Sequence, residues 1–581
     1  MNPAHRAVPA PAPEPGTEAP CRAACPVGTD AAAYVALIEQ GNLETAYDIA
    51  RAPNPFPSIC GRVCAAPCER RCRRGIVDSA VSIRALKRVL CDRHGAEQGE
   101  NSRWHLALGQ LPEPSGPSVG IVGGGPAGLA AAHDLRRSGI PVTVYEATAR
   151  VGGMMRWGIP PFRLPRSVLD AECDAVSELG ISVRTECRIG RDEAFEALLQ
   201  RHGAVLVTVG CQQGRSLDAP GAREPGVIRA IDFLRGGAEL GDGPVVVIGG
   251  GSVAFDAARS AWRAITAYDG QTALDAARSA RRSGAAKVSL VAPEEAEGLP
   301  VPTEELHEAR AEGVEVRGGE GVVRIVAEGR VTGVEVAPVL SLRRPDGSFG
   351  PVLDLDRTRI LPAATVVLAI GQEADTDFLS SLEGLERTPW GGVVVDREQR
   401  SSAPQVWAAG DVATGPRDLI DAIAAGRRAA ASIARSLERP GVPNERRADH
   451  ASPPLHHPTR FWSGYDALER TTLPVLAPAD RDMLREVEQG MSAVEGSREA
   501  SRCLRCDEQL AFSTARCIAC GLCVDVCPHA ALALVPTGGA RLAMTFRDTS
   551  CIRCQLCVHR CPTDALSFGV APAYGIPLVA P

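Results

Sequence analysis

The sequence predicts a multidomain α/β chain, and three observations carry that reading. An apolar strand, a glycine turn and an Ala-rich helix follow one another twice, at "VGIVGGGPAGLAAAHDL" and at "PVVVIGGGSVAFDAARSAWR". The composition is 45% hydrophobic but only 4% aromatic, and Ala, Gly and Val suit doubly wound parallel sheets with tight turns. Sixteen of the twenty cysteines sit in two groups toward the chain ends, which calls for a different kind of domain at each end. The expected architecture is an N-terminal helical cysteine-bearing domain, two nested Rossmann-like dinucleotide-binding units, and a C-terminal α+β module built on repeated cysteine runs.

At 581 residues the chain has room for roughly three to five domains. A net charge of −7 leaves no basic footprint for nucleic acid. No apolar run approaches the ~20 residues that span a bilayer. The arm 1–20, "MNPAHRAVPAPAPEPGTEAP", lacks the apolar core of a secretory signal and reads as disordered Pro/Ala sequence. A cytoplasmic location is expected.

Helical patterns such as "AAAYVALIEQGNLETAYDIARA" fill residues 21–110 and surround Cys21, Cys25, Cys60, Cys64, Cys68 and Cys72. Spacings of this kind, in a chain without an export signal, favour metal ligation over disulfides. "GQLPEPSGPS" is a linker.

The first dinucleotide unit is expected over 117–240 and 361–437. Gly123, Gly125 and Gly128 form G-x-G-x-x-G, with Pro126 and Ala127 opening the helix. The first glycine permits the turn, the second admits a pyrophosphate to the backbone, and the third lets helix and strand pack closely. Glu146 ends the next strand, where an acid accepts ribose hydroxyls. Gly152 and Gly153 follow it by six and seven residues, and Gly410 and Asp411 close a later strand in "VWAAGDVATG". These pairings favour FAD here.

The second unit is expected as an insertion over 241–360. It carries Gly249, Gly251, Ser252 and Ala254 as G-x-G-S-x-A, with Glu294 ending its second strand 45 residues after Gly249. The usual interval is about 20, and a helical insertion, "AITAYDGQTALDAARSARRSGA", accounts for the excess. A nicotinamide site is expected, against a fold kept only for packing. Residues 438–502 are Pro-, Arg- and Glu-rich and read as a connector.

In 503–581 the run Cys-x2-Cys-x2-Cys-x3-Cys-Pro is written twice, at "CIACGLCVDVCP" and "CIRCQLCVHRCP". In two-cluster ferredoxins three cysteines of each run hold one cubane and the fourth crosses to the other. Cys517, Cys520, Cys523 and Cys561 are therefore expected around one 4Fe–4S cluster, and Cys551, Cys554, Cys557 and Cys527 around a second. Zinc prefers separated pairs. Cys91, Cys173, Cys187 and Cys211 stand singly and read as buried small residues.

Longer motifs carry a resemblance: "CPVGTDAAAYVALIEQGN", "NPFPSICGRVCAAPCERRC", "GGMMRWGIPPFRLP", "VVLAIGQEADTDFL" and "AAGDVATGPRDLIDAIAAGRRAA". From about residue 20 to 437 the chain resembles the glutamate synthase small-subunit (beta-chain) group, which shares its electron-entry half with dihydropyrimidine dehydrogenase. The resemblance implies a helical 4Fe–4S domain, an FAD unit and an inserted NAD(P)H unit. Residues 503–581 resemble a two-cluster ferredoxin, preceded by the seam "REASRCLRC".

Two departures from that family matter. NADPH-using members carry paired arginines after the second strand of the nicotinamide unit, where this chain has Ala292, Pro293, Glu294 and Glu295. Carboxylates there suit ribose hydroxyls, so NADH is favoured over NADPH, although Arg281 and Arg282 lie upstream on the insertion. The family also begins with a Cys-x2-Cys that is missing here. Cys503 and Cys506 lie outside the ferredoxin pattern, and together with the six N-terminal cysteines they make eight. One or two N-terminal clusters are thus expected, the second only if these two thiols complete it. Lys87 stands where relatives supply a non-thiol ligand, and Cys60 is preferred as donor.

A flavin accepts hydride and releases electrons singly. The expected function is a flavin iron–sulfur NAD(P)H oxidoreductase, exchanging electrons with a ferredoxin or a partner oxidoreductase subunit, which leaves a hetero-oligomer open. The alternatives are a glutamate synthase beta-type input subunit, or a tether for clusters with a degenerate nicotinamide site. No acid/base catalytic residue stands out.

Overall fold

The computed structural model describes residues 19–266, 287–439, 468–536 and 542–570. The stretch read as a disordered arm lies outside these residues except for Ala19 and Pro20, and Pro20 already opens the first helix, Pro20–Ala23. Most of the helical insertion, with Arg281 and Arg282, also lies outside them.

Two five-stranded parallel sheets form the centre. The first runs Val406–Ala408, Ala204–Val207, Val119–Val122, Val142–Tyr145, Ser182–Arg184. The second runs Val227–Arg229, Thr365–Leu368, Val245–Ile248, Val288–Val291, Glu315–Arg317. Helices cover both faces, and the inner strands Val119–Val122, Ala204–Val207, Val245–Ile248 and Thr365–Leu368 are buried at every residue and apolar but for Thr365. An antiparallel sheet of Glu320–Ala327, Val331–Arg343, Phe349–Leu353 and Arg359–Pro362 sits beside the second.

The inserted unit is larger than the 241–360 read from the sequence. Val227–Arg229 and Thr365–Leu368 belong to its sheet, and the chain crosses between units where Gln213–Gly214 pairs antiparallel with Gln372–Glu373. A three-residue edge strand is too short to show a period, and "TVVL" would fit a buried strand of either sheet.

The helical domain is built on Ala31–Glu39, Leu43–Arg51, Pro57–Val63 and Ile83–His94. The Asp30 and Asn42 side chains accept from Ala33 N and Thr45 N and cap the first two. The domain docks on the first sheet unit through buried polar contacts. Arg51 lies 3.9 Å over the Trp104 ring and its Nη2 is 3.0 Å from His133 Nε2. A guanidinium only donates, so His133 Nε2 accepts and Nδ1–H donates to Asp134 Oδ1 at 2.8 Å. Arg427 Nε donates to the other Asp134 oxygen at 2.7 Å.

Residues 468–502 are not a loose connector. Arg481 pairs with Glu312 of the inserted unit at 2.6 Å, and Val487 N donates to Phe162 O of the first unit at 2.9 Å. Glu486 receives Arg62 and Arg88 of the helical domain at 3.0 and 2.9 Å. The segment is a strap across three units, ending in the helix Ala493–Ala500 with a Ser492/Glu495 capping box. Beyond it, the paired strands Glu508–Phe512 with Leu566–Val570, and Leu532–Pro536 with Leu542–Phe546, frame the C-terminal α+β module. Among the described residues no helix is long and apolar enough to cross a membrane.

Burial, opposed by Asp134 and reinforced by Arg51, lowers the His133 imidazole to about 3, against about 6.5 in an unfolded chain. Between those values only the unfolded chain takes up this proton, so stability falls as pH drops below about 6.5, by about 1.4 kcal/mol per pH unit. His133→Gln flattens that segment of the pH–stability profile, measured by thermal unfolding against the parent protein.

Candidate dinucleotide sites and metal centres

Both glycine turns are built alike. Gly123 has φ +107° and Gly249 φ +140°. A Cβ at either would press on the carbonyl of a neighbouring strand end, Thr208 or Ala369, so both glycines are required by the fold itself. Gly128 is equally constrained, because a Cβ there would run into the Gly123 carbonyl. Gly125 and Gly251 differ. Neither has a positive φ, and a Cβ would meet nothing nearer than 3.7 Å at Gly125 and nothing within 4 Å at Gly251. The protein does not need glycine at these two places. A phosphate group brought against the backbone does, and each lies at the start of a helix, Pro126–Arg137 or Ser252–Thr266.

The acids occupy matching positions. Glu146 Oε2 accepts from Gly124 N at 2.9 Å, while Oε1 accepts from Thr148 N at 2.8 Å. In the second unit Glu294 Oε2 lies 3.2 Å from where a Gly250 Cβ would stand, as Glu146 Oε2 lies 3.1 Å from that of Gly124. The extra length between Gly249 and Glu294 therefore does not displace the acid from its turn. Gly152 N donates to Gly124 O at 2.8 Å, and a Gly153 Cβ would come within 2.7 Å of Gly125 Cα, so this loop closes over the first turn. Gly410 packs on Ala127, its Cβ position 3.0 Å away. Asp411 thus stands beside the same helix start; burial pushes its carboxyl up to about 6, against an N–H from Arg417.

The sixteen grouped cysteines gather into four sets. Cys517, Cys520, Cys523 and Cys561 line one cavity. Cys527, Cys551, Cys554 and Cys557 line another. Cys21, Cys72, Cys503 and Cys506 line a third. Cys25, Cys60, Cys64 and Cys68 surround the buried Lys87 ammonium, which burial disfavours and these thiols favour, with a net upward shift. The sulfurs of three sets each line a pocket of their own, an arrangement that suits a polynuclear cluster. Backbone N–H groups already aim at several of them: Ala519 N at Cys517 Sγ and Arg553 N at Cys551 Sγ, both 3.4 Å, and Ala531 N at Cys527 Sγ, 3.1 Å.

Paired glycine turns with terminal acids, coupled to thiol-lined cavities at both chain ends, define an FAD-dependent NAD(P)H oxidoreductase with 4Fe–4S modules. Residues 117–426 match the pyridine nucleotide-disulphide oxidoreductase family, to which the chain belongs. Residues 15–99 match dihydropyrimidine dehydrogenase domain II, 4Fe–4S cluster, and residues 516–565 match the 4Fe–4S dicluster domain. The chain is 34% identical over 528 residues to the NADP(+)-dependent formate dehydrogenase subunit beta of Moorella thermoacetica, covering 85% of this chain and 71% of that protein. It is 32% identical over 530 residues to the NADPH-Fe(3+) oxidoreductase subunit beta of Geobacter sulfurreducens, with 84% and 75% covered. It is also 32% identical over 429 residues to the NAD-dependent dihydropyrimidine dehydrogenase subunit PreT of Escherichia coli, with 72% and 92% covered.

Several residues of these sites escape a sequence reading. Thr208, whose Oγ1 donates to the Gly123 carbonyl at 2.8 Å, comes from a strand 85 residues away and has no motif. Gly426 brings its helix onto Ala127 at backbone contact; only its place in an Ala-rich helix hinted at that.

The two kinds of glycine separate experimentally. Gly128→Ala costs about 1–3 kcal/mol of stability through overpacking and loses flavin with it. Gly125→Ala leaves the unfolding midpoint of the flavin-free protein close to the parent's, yet weakens FAD retention at least about tenfold. Flavin content by absorbance and thermal unfolding of both variants check this.

Proposed function

We propose that the chain is the nicotinamide-linked input subunit of a larger cytoplasmic oxidoreductase, with NADH its preferred donor. Bound flavin supplies the change from hydride to single electrons, and the clusters supply one-electron carriers. FAD is held by the turn Gly123–Gly128, the ribose acid Glu146, the Gly152–Gly153 loop, and Gly410 with Asp411. The nicotinamide dinucleotide is held by Gly249, Gly251, Ser252 and Ala254, with Glu294 toward the ribose.

The observation that carries this reading is the grouping of the cysteines: Cys25 and Cys64 pack against a core shared by the helical domain and the flavin unit, and two further sets line pockets of the C-terminal module. The last set, at the far end of the C-terminal module, includes the solvent-exposed Cys520. Around it Ile518 and Leu522 expose 52% and 41% of their surface. Apolar side chains beside an exposed cluster ligand suit transient docking of an electron-transfer partner. Relatives named as subunits of formate and dihydropyrimidine dehydrogenases support a protein partner of the oxidoreductase class; a ferredoxin has the same electron chemistry and is the second candidate. A reducing compartment keeps this many thiols available for ligation.

The NADH preference rests on Glu294. Its carboxylate holds the position that Glu146 holds in the first unit, where it would accept a 2′-hydroxyl and repel a 2′-phosphate. In anaerobic titrations NADH bleaches the flavin at concentrations at least about tenfold below NADPH, and Glu294→Ala narrows that gap by about tenfold. Equal or better bleaching by NADPH overturns the preference. No bleaching by either overturns the input role in favour of a cluster tether.

A further inference from the structure

We infer that Cys21, Cys72, Cys503 and Cys506 together hold one 4Fe–4S cluster, so that the two ends of the chain close on a shared metal site. The inference deepens the electron-transfer reading and rests on it. No single matched segment contains the set: 15–99 includes Cys21 and Cys72, while Cys503 and Cys506 fall before 516–565.

The cavity these four thiols line matches the two in the C-terminal module in size and in its four-cysteine lining. All three have four cysteines and largely apolar walls, here Val35, Val81 and Leu504.

Backbone shape is a second, independent observation. In "CIAC" and "CIRC", each opening a ferredoxin run, the residue before the second cysteine takes a left-handed conformation: Ala519 at φ +53° and Arg553 at φ +56°. In "CLRC" the corresponding Arg505 has φ +53°. A non-glycine residue takes this region rarely and at a cost of about 1 kcal/mol or more. Three Cys-x2-Cys turns sharing it at one position present their sulfurs in the same way, so the seam has the loop of a cluster-binding half-site.

The seam is also fixed in place. Arg502, immediately before Cys503, is fully buried and donates to Asp78, Ser79 O and Ala80 O on the helical domain. Arg74, two residues after Cys72, donates to Asp78 and back to Arg502 O. On the other side Arg73 pairs with Asp548 of the C-terminal module at 2.7 Å, and Asp548 also receives Arg553. Through Arg73, Asp548 and Arg553 the cavity adjoins the loop of Cys551 and joins the helical domain to the C-terminal module. The four remaining N-terminal cysteines, around Lys87, make a complete set of their own.

On cluster binding each thiol loses its proton to solvent. The test is metal and sulfide counting on anaerobically purified full-length protein, per bound flavin, with the reduced clusters observed by EPR. Cys503→Ser with Cys506→Ser, and separately Cys21→Ser with Cys72→Ser, should each remove one cluster, about four irons. The quadruple variant should lose no more than either pair. Unchanged iron in the first pair, additive loss in the quadruple, or loss of zinc in place of iron overturns the assignment. Cys506→Asp keeps an anionic donor where serine variants fail to fold; it should shift one EPR signal and leave the others, and an unaltered spectrum overturns the proposal. Flavin bleaching by NADH on the parent sample is read separately, so a failed input role is distinguishable from a failed ligand set.

Discussion

Arg502 and Glu499 form an ion pair with both side chains at 0% exposure, and the joining of the two chain ends depends on it. Each charge taken from water costs several kcal/mol, recovered only where its hydrogen-bonding groups are met. Glu499 accepts from Ser82 N at 2.9 Å and Thr471 N at 2.7 Å as well as from Arg502. Arg502 reaches Leu468 O besides its partners on 78–80. Three segments far apart in sequence must therefore assemble together or leave a buried charge exposed to no partner, a loss of about 3–5 kcal/mol. An apolar patch would tolerate sliding. This pair has one register, and Cys503 follows it directly.

The same logic runs along the strap. Glu312 collects Arg259, Arg263 and Arg481 at 2.8, 2.9 and 2.6 Å, tying the inserted unit to residue 481. Glu486 collects Arg62 and Arg88, and Arg84 pairs with Glu488 at 2.7 Å. Such partly buried, multiply bonded pairs are far less screened by salt than surface pairs. Orientation between the flavin unit and the helical domain is thus set by charge at its rim and by the contacts of Arg51 with His133 and of Arg427 with the Pro53 carbonyl inside. An electron-transfer protein gains from this rigidity, because its carriers must stay at fixed separations while the partner comes and goes.

What the sequence reveals follows the range of the interaction. Gly123, Gly249 and the cysteine runs answer to local constraints, a positive φ or a sulfur spacing, and these are legible in a dozen residues. The fourfold division of the cysteines was partly legible by counting, since six and two make eight. That Cys25 and Cys60 group with Lys87 while Cys21 and Cys72 face the seam required coordinates. The strap was illegible because Arg62 and Glu486 are 424 residues apart, and a stretch rich in Arg, Glu and Pro reads as solvated linker until its partners are known. The edges of the inserted unit failed for the opposite reason: Val227–Arg229 is too short to carry any pattern.

Cysteine spacing is shared by the two C-terminal sets and not by the other two, and what surrounds the sulfurs distinguishes all four. The first set lies against the buried Lys87, and Cys64 accepts an N–H from Ala66 at 3.4 Å. The second is flanked by Arg73 and Arg553. The third accepts N–H groups from Arg553 and Ala531 at Cys551 and Cys527. The fourth accepts them from Ala519 and Ala565 at Cys517 and Cys561, and reaches solvent at Cys520. Cluster potential depends on net charge, hydrogen bonding to sulfur and exposure. Fixed cations stand beside the inner sets, Lys87 at the first and Arg73 at the second, backbone N–H groups reach sulfur in the first set as well as in the last two, and Cys520 of the last set is exposed, so a partner that covers Cys520 would alter that term on docking.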